Sequence, residues 1–246
     1  ACTFAAMGVE THLVDGRDQL LPFLDREVSQ ALETAMKDNG IQFHWNSKVV
    51  RCDASKPGDI VLELSSGQTL AGDGVLVCAG RQSNTAQLDL ENAGVTTGKR
   101  GIIAVNEHYQ TSIPHIYAAG DVIGFPALAS TSAAQGRMAT CHAFGIKDDL
   151  LDAPLPFGIY SIPEISMVGQ TEQSLTEAGI PYESGIARYE VLARGKMIGD
   201  RDGLLKLLVH QKERRLLGVH CLGTSATELV HIGQMVMAYN GTVDDL

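Results

Sequence analysis

The pair Gly120-Asp121 closes an apolar stretch that begins at Thr111, and a run of small residues follows it. We predict a short strand through Tyr117 that ends at this pair, with a helix after it. A carboxylate at the end of a strand, beside a glycine that lets a ligand approach the backbone, suits the hydroxyls of a ribose or ribitol group. The pattern therefore predicts that Gly120 and Asp121 bind a nucleotide cofactor.

The start of the next helix is a second candidate site. The sequence Ala127-Leu128-Ala129-Ser130 leads into a helix that we expect to run from about Ala129 to Phe144. The first N–H groups of a helix are free and the helix dipole is positive there, so this end can stabilise negative charge on a reduced flavin ring. Tight helix packing would select the same small side chains, and both interpretations stay open.

Asp15 ends the first predicted strand of the chain. In a dinucleotide-binding β-α-β unit, the acid at the end of the second strand accepts hydrogen bonds from the adenosine ribose. Asp15 fits that position, although Asp15-Gly16 is also an ordinary turn sequence. Arg17 lies two residues on, where a guanidinium can hold a 2′-phosphate or simply be a solvated surface group. An acid and an arginine this close can serve both nicotinamide dinucleotides.

Gly80 and Arg81 follow an apolar run that starts at Gly74. We expect Gly74–Gly80 to be a buried strand that returns to a parallel sheet. A glycine at the carboxyl end of such a strand lets the backbone close over a cofactor, so Gly80 and Arg81 are candidate cofactor-binding residues. A hinge between two domains is the alternative, and one segment can serve both purposes.

The composition limits the partners of the protein. Hydrophobic residues make up 44% and charged residues 20% of the 246, as in ordinary soluble proteins. The 19 basic and 29 acidic residues give a net charge of −10, which disfavours nucleic acid and anionic membrane as partners. Since no apolar run is long enough to span a bilayer, we expect a cytoplasmic protein.

Catalytic and metal-binding side chains form no recognisable pattern. The eight histidines lack metal-ligand spacing and no Ser-His-Asp arrangement is visible, so we predict neither a metal site nor a catalytic side chain. The five cysteines have apolar neighbours and no C-x-x-C or C-x4-C pairing, which predicts buried free thiols.

Hydrophobic periodicity predicts an α/β fold. Strands over Thr11–Asp15 and Ile41–His44, with a helix over Asp25–Lys37 between them, give a β-α-β sequence. Three short strands from about Lys48 to Leu70 are expected to form an antiparallel meander. After Pro154 an α+β layer is predicted, with strands near 164–168, 184–190, 204–210 and 216–222 and helices at 171–178 and 226–239.

The last predicted helix and the two ends of the chain indicate a larger assembly. An apolar stripe of Leu229, Ile232, Met235 and Val236 fits a twofold interface, or a face packed within its own domain. Residues 1–7 have the pattern of a helix end closed by Gly8, and Thr242 with Asp245 has the spacing of a helix start. We therefore expect a piece of a longer protein.

Three segments together resemble the two-dinucleotide-binding flavoprotein disulfide reductase family. They are Ala79-Gly80-Arg81 with Asn84, Thr111 with Tyr117-Ala118-Ala119-Gly120-Asp121, and the stretch from Ile159 to Glu172. The resemblance implies an incomplete Rossmann-like NAD(P)-binding domain with a β-meander at 1–82, the returning segment of an FAD-binding domain at 83–153, and an α+β dimer-interface domain at 154–246.

The resemblance also implies roles for individual residues. In the NAD(P) site, Asp15 meets the adenosine ribose, Arg17 lies near the 2′-phosphate, and Val49 and Gly80 line the dinucleotide. In the FAD site, Asp121 binds the ribitol region, and the residues from Ala127 to Ser130 lie against the flavin.

For activity, the resemblance implies an oxidoreductase that uses FAD, NAD and NADP and forms a homodimer. We expect it to move a hydride between NADPH and NAD through the flavin, which requires no redox cysteines. Two alternatives stay open. One is a dihydrolipoamide dehydrogenase-like disulfide reductase, and the other is a non-catalytic nucleotide-binding or dimerisation module.

Overall fold

A computed structural model describes residues 1–147 and 154–246 of the chain. Within these ranges, packing separates two compact units: residues 1–76 with 154–246, and residues 77–147. The first unit thus combines the first and third predicted domains, and the three-domain division itself stays a prediction. None of the described helices is both long and apolar enough to cross a membrane.

The first unit begins with the predicted β-α-β sequence. Helix α1, Cys2–Ala6, is followed by strand β1, Thr11–Val14, helix α2, Arg26–Asp38, and strand β2, Ile41–His44. Strands β1 and β2 pair in parallel, with Thr11 opposite Ile41. Helix α2 buries Val28, Leu32 and Met36 on one face, as their spacing predicts.

The predicted meander is confirmed, with longer strands than expected. It consists of β3, Val49–Lys56, β4, Asp59–Leu64, and β5, Thr69–Gly72, all antiparallel. Gly67 adopts a φ of +84° in the turn between β4 and β5, a conformation that costs glycine little.

The predicted buried strand at Gly74–Gly80 is wrong. These residues form no strand, and Val75, Leu76 and Val77 are exposed. An apolar run becomes a strand only where a neighbouring strand accepts and donates its backbone hydrogen bonds, and the two-stranded sheet of β1 and β2 does not include this segment.

The second unit is built around helix α3, Ala129–Ala143, which confirms the predicted helix. The small buried core of this unit consists of Val95, Ile103 and Ala118. The predicted strand through Tyr117 is wrong, because Tyr117 makes only an isolated antiparallel bridge to Gln110. The chain reverses tightly between these residues and then enters a 3-10 turn at Gly120–Ile123, which leaves no room for a ladder.

The C-terminal part of the first unit confirms the predicted α+β layer and adds two elements that were not predicted, β6 and α5. Its elements are β6 Phe157–Ile159, β7 Ile165–Gly169, α4 Glu172–Glu177, β8 Tyr182–Arg188, α5 Ala193–Ile198, β9 Leu204–His210, β10 Leu216–Leu222 and α6 Ala226–Ala238. The strands form one antiparallel sheet in the order β6-β7-β10-β9-β8. Helix α6 packs on it closely, since a Cβ on Gly233 would lie 2.5 Å from Val219.

One hydrophobic core joins the two parts of the first unit. It combines residues before, on and after α2 with residues of the five-stranded sheet. Its buried members are Leu24, Val28, Leu32, Met36, Ile41, Ile165, Leu204 and Leu222. Since α2 and the sheet share this core, they form one packed body despite their separation in sequence.

A buried ion cluster lies beside this core. The Lys206 side chain of β9 has 0% exposure and its Nζ lies 2.8 Å from Asp25 Oδ1, 3.1 Å from Glu27 Oε2 and 3.3 Å from Glu172 Oε1. Asp25 caps α2 through the N–H of Glu27 and also accepts the N–H of Glu172 at 3.1 Å. One carboxylate therefore connects the first turns of α2 and α4 with β9.

The cluster shifts the ionisation of its members. Burial alone raises the pKa of Asp25, but the hydrogen bonds from Lys206 and from the N–H of Glu172 outweigh it and lower that pKa overall. Burial alone lowers the pKa of Lys206, and its carboxylate partners raise it overall. Burial lowers the pKa of neighbouring His220, whose Nε2 lies 2.9 Å from the carbonyl oxygen of Gln170.

The expectation of buried thiols is wrong for Cys52 and Cys78, which are exposed. Cys52 lies on β3, every residue of which is exposed, and Cys78 lies in an exposed segment without regular secondary structure after the meander. Cys2 and Cys141 are half-buried. Only Cys221 is buried among the five, and burial raises its pKa to about 11.

The apolar stripe of α6 divides between two faces. Leu229, Ile232 and Met235 are exposed, whereas Val236 packs against the core formed by Val230 and its neighbours. The outward face of α6 is therefore narrower than the predicted stripe.

We predict that Lys206→Met lowers the free energy of unfolding by about 3–5 kcal/mol at pH 7, because it leaves buried carboxylates without their cation. Urea denaturation measures the loss. The control is Lys212→Met, at an exposed position in the turn after β9, which should change the free energy of unfolding by less than about 0.5 kcal/mol.

The stability lost in Lys206→Met should depend on pH. Since the folded pKa of Asp25 lies below its ordinary value of 3.8, the stability that this carboxylate contributes is present above pH 3.8 and disappears as the pH falls through the folded pKa. The difference between wild type and Lys206→Met should therefore shrink in acid. A difference that is constant from neutral pH down to the ordinary pKa of 3.8 and below contradicts this assignment.

Candidate functional site

The turn at Gly120–Ile123 is held on helix α3 by a buried hydrogen bond. The N–H of Gly120 donates to Gln135 Oε1 at 2.7 Å. Gly120 has a φ of +82°, and a Cβ there would lie 3.0 Å from Ser132 Oγ. Only glycine therefore lets the turn approach the helix this closely.

This turn places Asp121 next to a second predicted residue. Arg81 Nη2 donates to Asp121 Oδ2 at 2.9 Å, with side chains that are 83% and 43% exposed. Exposed ion pairs of this kind contribute little to stability. The Asp121 carboxylate can therefore exchange Arg81 for a ligand hydroxyl at small cost.

The start of α3 presents open backbone donors. Leu128 is extended and begins the helix, and no side chain of the described chain caps it. Ser132 N–H donates to the Leu128 carbonyl oxygen at 2.8 Å, which is the first helical bond. Ala127 has a φ of +47°, and Ala127, Ala129 and Ser130 are not buried. Ala129 and Ser130 of the first turn are thus exposed and lie where an acceptor can approach, whereas Thr131 is buried.

These features fit a flavin nucleotide. Accessible N–H donors at the positive end of a 15-residue helix suit an electron-rich ring edge, and small side chains leave the approach open. The carboxylate of Asp121 suits a polyol chain. Gly80, with a φ of +105°, and Arg81 belong to the same unit and are both exposed.

A separate group of predicted residues lies in the first unit, just after β1. Arg17 forms a two-pronged ion pair with Asp15: Nη2 lies 2.6 Å from Oδ2 and Nε lies 3.0 Å from Oδ1. The hydrogen bond from Arg17 lowers the pKa of Asp15, which is therefore ionised near neutral pH. Both side chains remain accessible, with Asp15 at 22% and Arg17 at 56% exposure.

The loop that carries this pair is tied to the chain after β2. Asn46 N–H donates to the Arg17 carbonyl oxygen at 2.9 Å, and Ser47 N–H donates to that of Asp15 at 3.1 Å. Val49, the predicted dinucleotide contact, follows as an exposed residue at the start of β3. The loop with Asp15 and Arg17 is thus hydrogen-bonded to the loop that leads into Val49 and β3, within one unit.

Two residues at these sites were missed by sequence reasoning. Gln135 is a buried amide in a helix rich in small residues, which is a detectable signal in the sequence. Its hydrogen bond with Gly120, a residue that was predicted, is evident only from the fold. Lys48 crosses Gly16, with its Cε 3.2 Å from the position of a Cβ on that glycine. Nothing in the spacing of Lys48 marks it.

Within 1–147 and 154–246, no three His, Cys, Asp or Glu side chains are grouped so that they can hold a metal ion.

Two protein families match the chain. Residues 1–136 match the family described as pyridine nucleotide-disulphide oxidoreductase, and residues 155–246 match its dimerisation domain. The second match begins one residue after the predicted boundary at 154.

Curated relatives match over the whole chain. A soluble pyridine nucleotide transhydrogenase of Mycobacterium bovis is 50% identical over 246 residues, and one of Marinobacter nauticus is 45% identical over 251. The chain covers 52% and 53% of these proteins, so it spans about half the length of the curated relatives it matches.

Solved structures share the fold. LpdA of Mycobacterium tuberculosis superposes with a TM-score of 0.90 at 25% identity, over 99% of this chain and 53% of that one. The HOCl-induced flavoprotein disulfide reductase RclA of Escherichia coli gives 0.88 at 27% identity, over 98% and 55%.

We predict that Gln135→Leu destabilises the second unit by about 1–3 kcal/mol, because the buried N–H of Gly120 loses its acceptor. Thermal unfolding of the protein measures the change. Thr140→Ala, at an exposed position of the same helix, is the control and should leave the transition unchanged or slightly higher. Equal transitions for Gln135→Leu and wild type contradict the assigned role of Gln135.

Proposed function

The chain belongs to the pyridine nucleotide-disulphide oxidoreductase family, and from this premise we propose that the protein is an FAD-dependent pyridine nucleotide transhydrogenase. It moves a hydride between NADPH and NAD. The observation that carries the proposal is the 50% identity, over all 246 residues, to a relative named soluble pyridine nucleotide transhydrogenase.

The nucleotide-binding loop of the first unit supports this activity. Asp15 accepts hydrogen bonds from the adenosine ribose, Arg17 meets the 2′-phosphate of NADPH, and Val49 packs against the dinucleotide. Gly80, a residue of the second unit, stays a candidate cofactor-binding residue, because a glycine backbone is open to a ligand. A loop that presents both an acid and an arginine suits an enzyme that must accept both nucleotides.

The second unit supplies the flavin site. Arg81, Gly120 and Asp121 hold the sugar chain, and the start of α3 from Ala127 to Ser130 directs its N–H groups at the ring. When bound, FAD supplies the ring that accepts a hydride from one nucleotide and returns it to the other. The chain contributes binding, orientation and charge stabilisation, so no side chain needs to transfer a proton.

A disulfide reductase related to dihydrolipoamide dehydrogenase is the second candidate. The fold match to LpdA and to the flavoprotein disulfide reductase RclA favours it. Such an enzyme needs two cysteines close enough to form a redox disulfide, and the five cysteines of these 246 residues have no C-x4-C spacing.

We further propose that the protein is a cytoplasmic homodimer that binds neither nucleic acid nor membrane. The dimerisation domain matched by residues 155–246 and the exposed face of Leu229, Ile232 and Met235 support self-association. The net charge of −10 supports the absence of polyanionic partners.

The activity is tested on the full-length protein. We expect a yellow protein with flavin absorbance that reduces an NAD analogue with NADPH, without any disulfide substrate. Turnover of a disulfide substrate in place of the NAD analogue establishes the reductase instead. A colourless protein that FAD does not reconstitute contradicts both, and leaves a non-catalytic module.

We predict that Ile232→Asp converts the full-length dimer into monomers, because a charge on the exposed face of α6 would be buried without a partner. Analytical ultracentrifugation measures the mass. Glu228→Gln, on the first turn of the same helix, is the control and should leave the dimer intact. A wild-type monomer contradicts the proposed assembly.

A further inference from the structure

The ion pair after β1 has the geometry of a phosphate complex. Arg17 directs Nη2 and Nε at the two oxygens of one carboxylate, at 2.6 Å and 3.0 Å. A guanidinium binds phosphate through the same two parallel hydrogen bonds. The Asp15 carboxylate therefore occupies the fork of Arg17 that a 2′-phosphate requires.

We propose that Asp15 competes with the 2′-phosphate for Arg17, so that one loop binds NAD and NADP with comparable affinity. The inference rests on the proposed function and assigns Asp15 a second role beyond holding the ribose. An enzyme that exchanges a hydride between two nucleotides at one site is inhibited when either of them binds much more tightly. A contact that keeps the affinities for NAD and NADP similar therefore favours turnover.

The competition follows from charge. With NAD, Asp15 accepts the ribose hydroxyls while Arg17 stays paired with it, so no charge is left without a partner. With NADP, the guanidinium turns to the phosphate, and Asp15 then faces two further negative charges at short range. Part of the attraction between Arg17 and the phosphate is thus offset by loss of the ion pair and by repulsion.

The backbone confines the exchange to side chains. The N–H of Arg17 donates to Asp15 Oδ1 at 2.9 Å, and bonds from Asn46 and Ser47 hold both carbonyl oxygens of the pair. The guanidinium itself is more than half exposed. Arg17 can therefore change partner while the loop stays in place.

Lys48 offers the competing explanation. Its side chain crosses Gly16 between the two members of the pair, and no carboxylate within the described residues forms an ion pair with it. A lysine so placed can act as the phosphate ligand in place of Arg17. The experiment must separate the two cations.

The test measures dissociation constants of full-length wild type and variants for NADP and NAD by calorimetry. Asp15→Asn keeps the shape and the acceptor for Arg17 N–H but removes the charge. We expect it to bind NADP on the order of tenfold more tightly and NAD several-fold more weakly. Arg17→Ala should bind NADP on the order of tenfold more weakly, with little change for NAD.

Asp18→Asn is the matched control. Asp18 is an exposed carboxylate on the same loop, and its loss changes the net charge by the same amount without touching the Arg17 fork. Its ratio of NADP to NAD affinity should stay within about twofold of wild type, because an exposed carboxylate that is not paired with Arg17 acts on the guanidinium only weakly, through solvent. Flavin absorbance confirms that each variant is folded.

Three results obtained with the variants overturn the inference. The first is an Asp15→Asn variant whose ratio of NADP to NAD affinity equals that of wild type, and the second is an Asp18→Asn variant that shows the same shift as Asp15→Asn. The third is loss of NADP binding in Lys48→Met but not in Arg17→Ala, which assigns the phosphate to Lys48. Wild type that binds neither nucleotide overturns the proposed function as well, whereas wild type that binds both, with an unresponsive Asp15→Asn, overturns the inference alone.

Discussion

The buried contact between Lys206 and Asp25 is the constraint on which the larger unit depends. The two residues are 181 positions apart in sequence and are both fully buried, 2.8 Å from each other. Asp25 also caps α2 and accepts the first N–H of α4, so one carboxylate aligns two helices on the five-stranded sheet. Burial of the apolar core beside it favours packing of α2 on the sheet but has no directional preference, whereas the ion cluster fixes how the two helices are oriented.

The ion pairs at the candidate nucleotide sites are exposed, unlike the buried cluster. Arg17 with Asp15 and Arg81 with Asp121 are accessible pairs whose geometry is as good as that of the buried cluster. Solvent weakens these pairs, so a ligand can replace either partner without the penalty of a stranded buried charge. Burial thus separates the ion pair that holds the fold from those available for binding.

The family relation and the geometry support the proposed function at different levels. Similarity over the whole chain assigns the family, and it brings the fold with it. The local arrangement then supports a physical role for each predicted residue, with an accessible carboxylate for hydroxyls, an arginine fork for phosphate, and an uncapped helix start for an electron-rich ring. These roles require accessible groups, which the described loops provide.

Elements with strong local signals follow from the order of the residues alone. Helix α2, the meander, strands β9 and β10, and the helix after Ala127 all follow from periodicity, capping and turn residues within a few positions. The candidate residues around Asp15 and Asp121 were also predicted from local patterns, and their roles stay predictions. Strand pairing could not be predicted in this way. The apolar run at Gly74–Gly80 has the sequence of a strand but pairs with no strand of the described chain.

Contacts between residues that are distant in sequence become visible only in the folded chain. Lys206 looks like a surface lysine in an apolar strand until α2 brings Asp25 and Glu27 to it, and exposed Cys52 looks like a core thiol until the meander is seen to leave β3 exposed. The pairing of Gln135 with Gly120 and the passage of Lys48 over Gly16 are of the same kind. The physical reason is that local propensity depends on neighbours in sequence, whereas burial and ion pairing depend on neighbours in space.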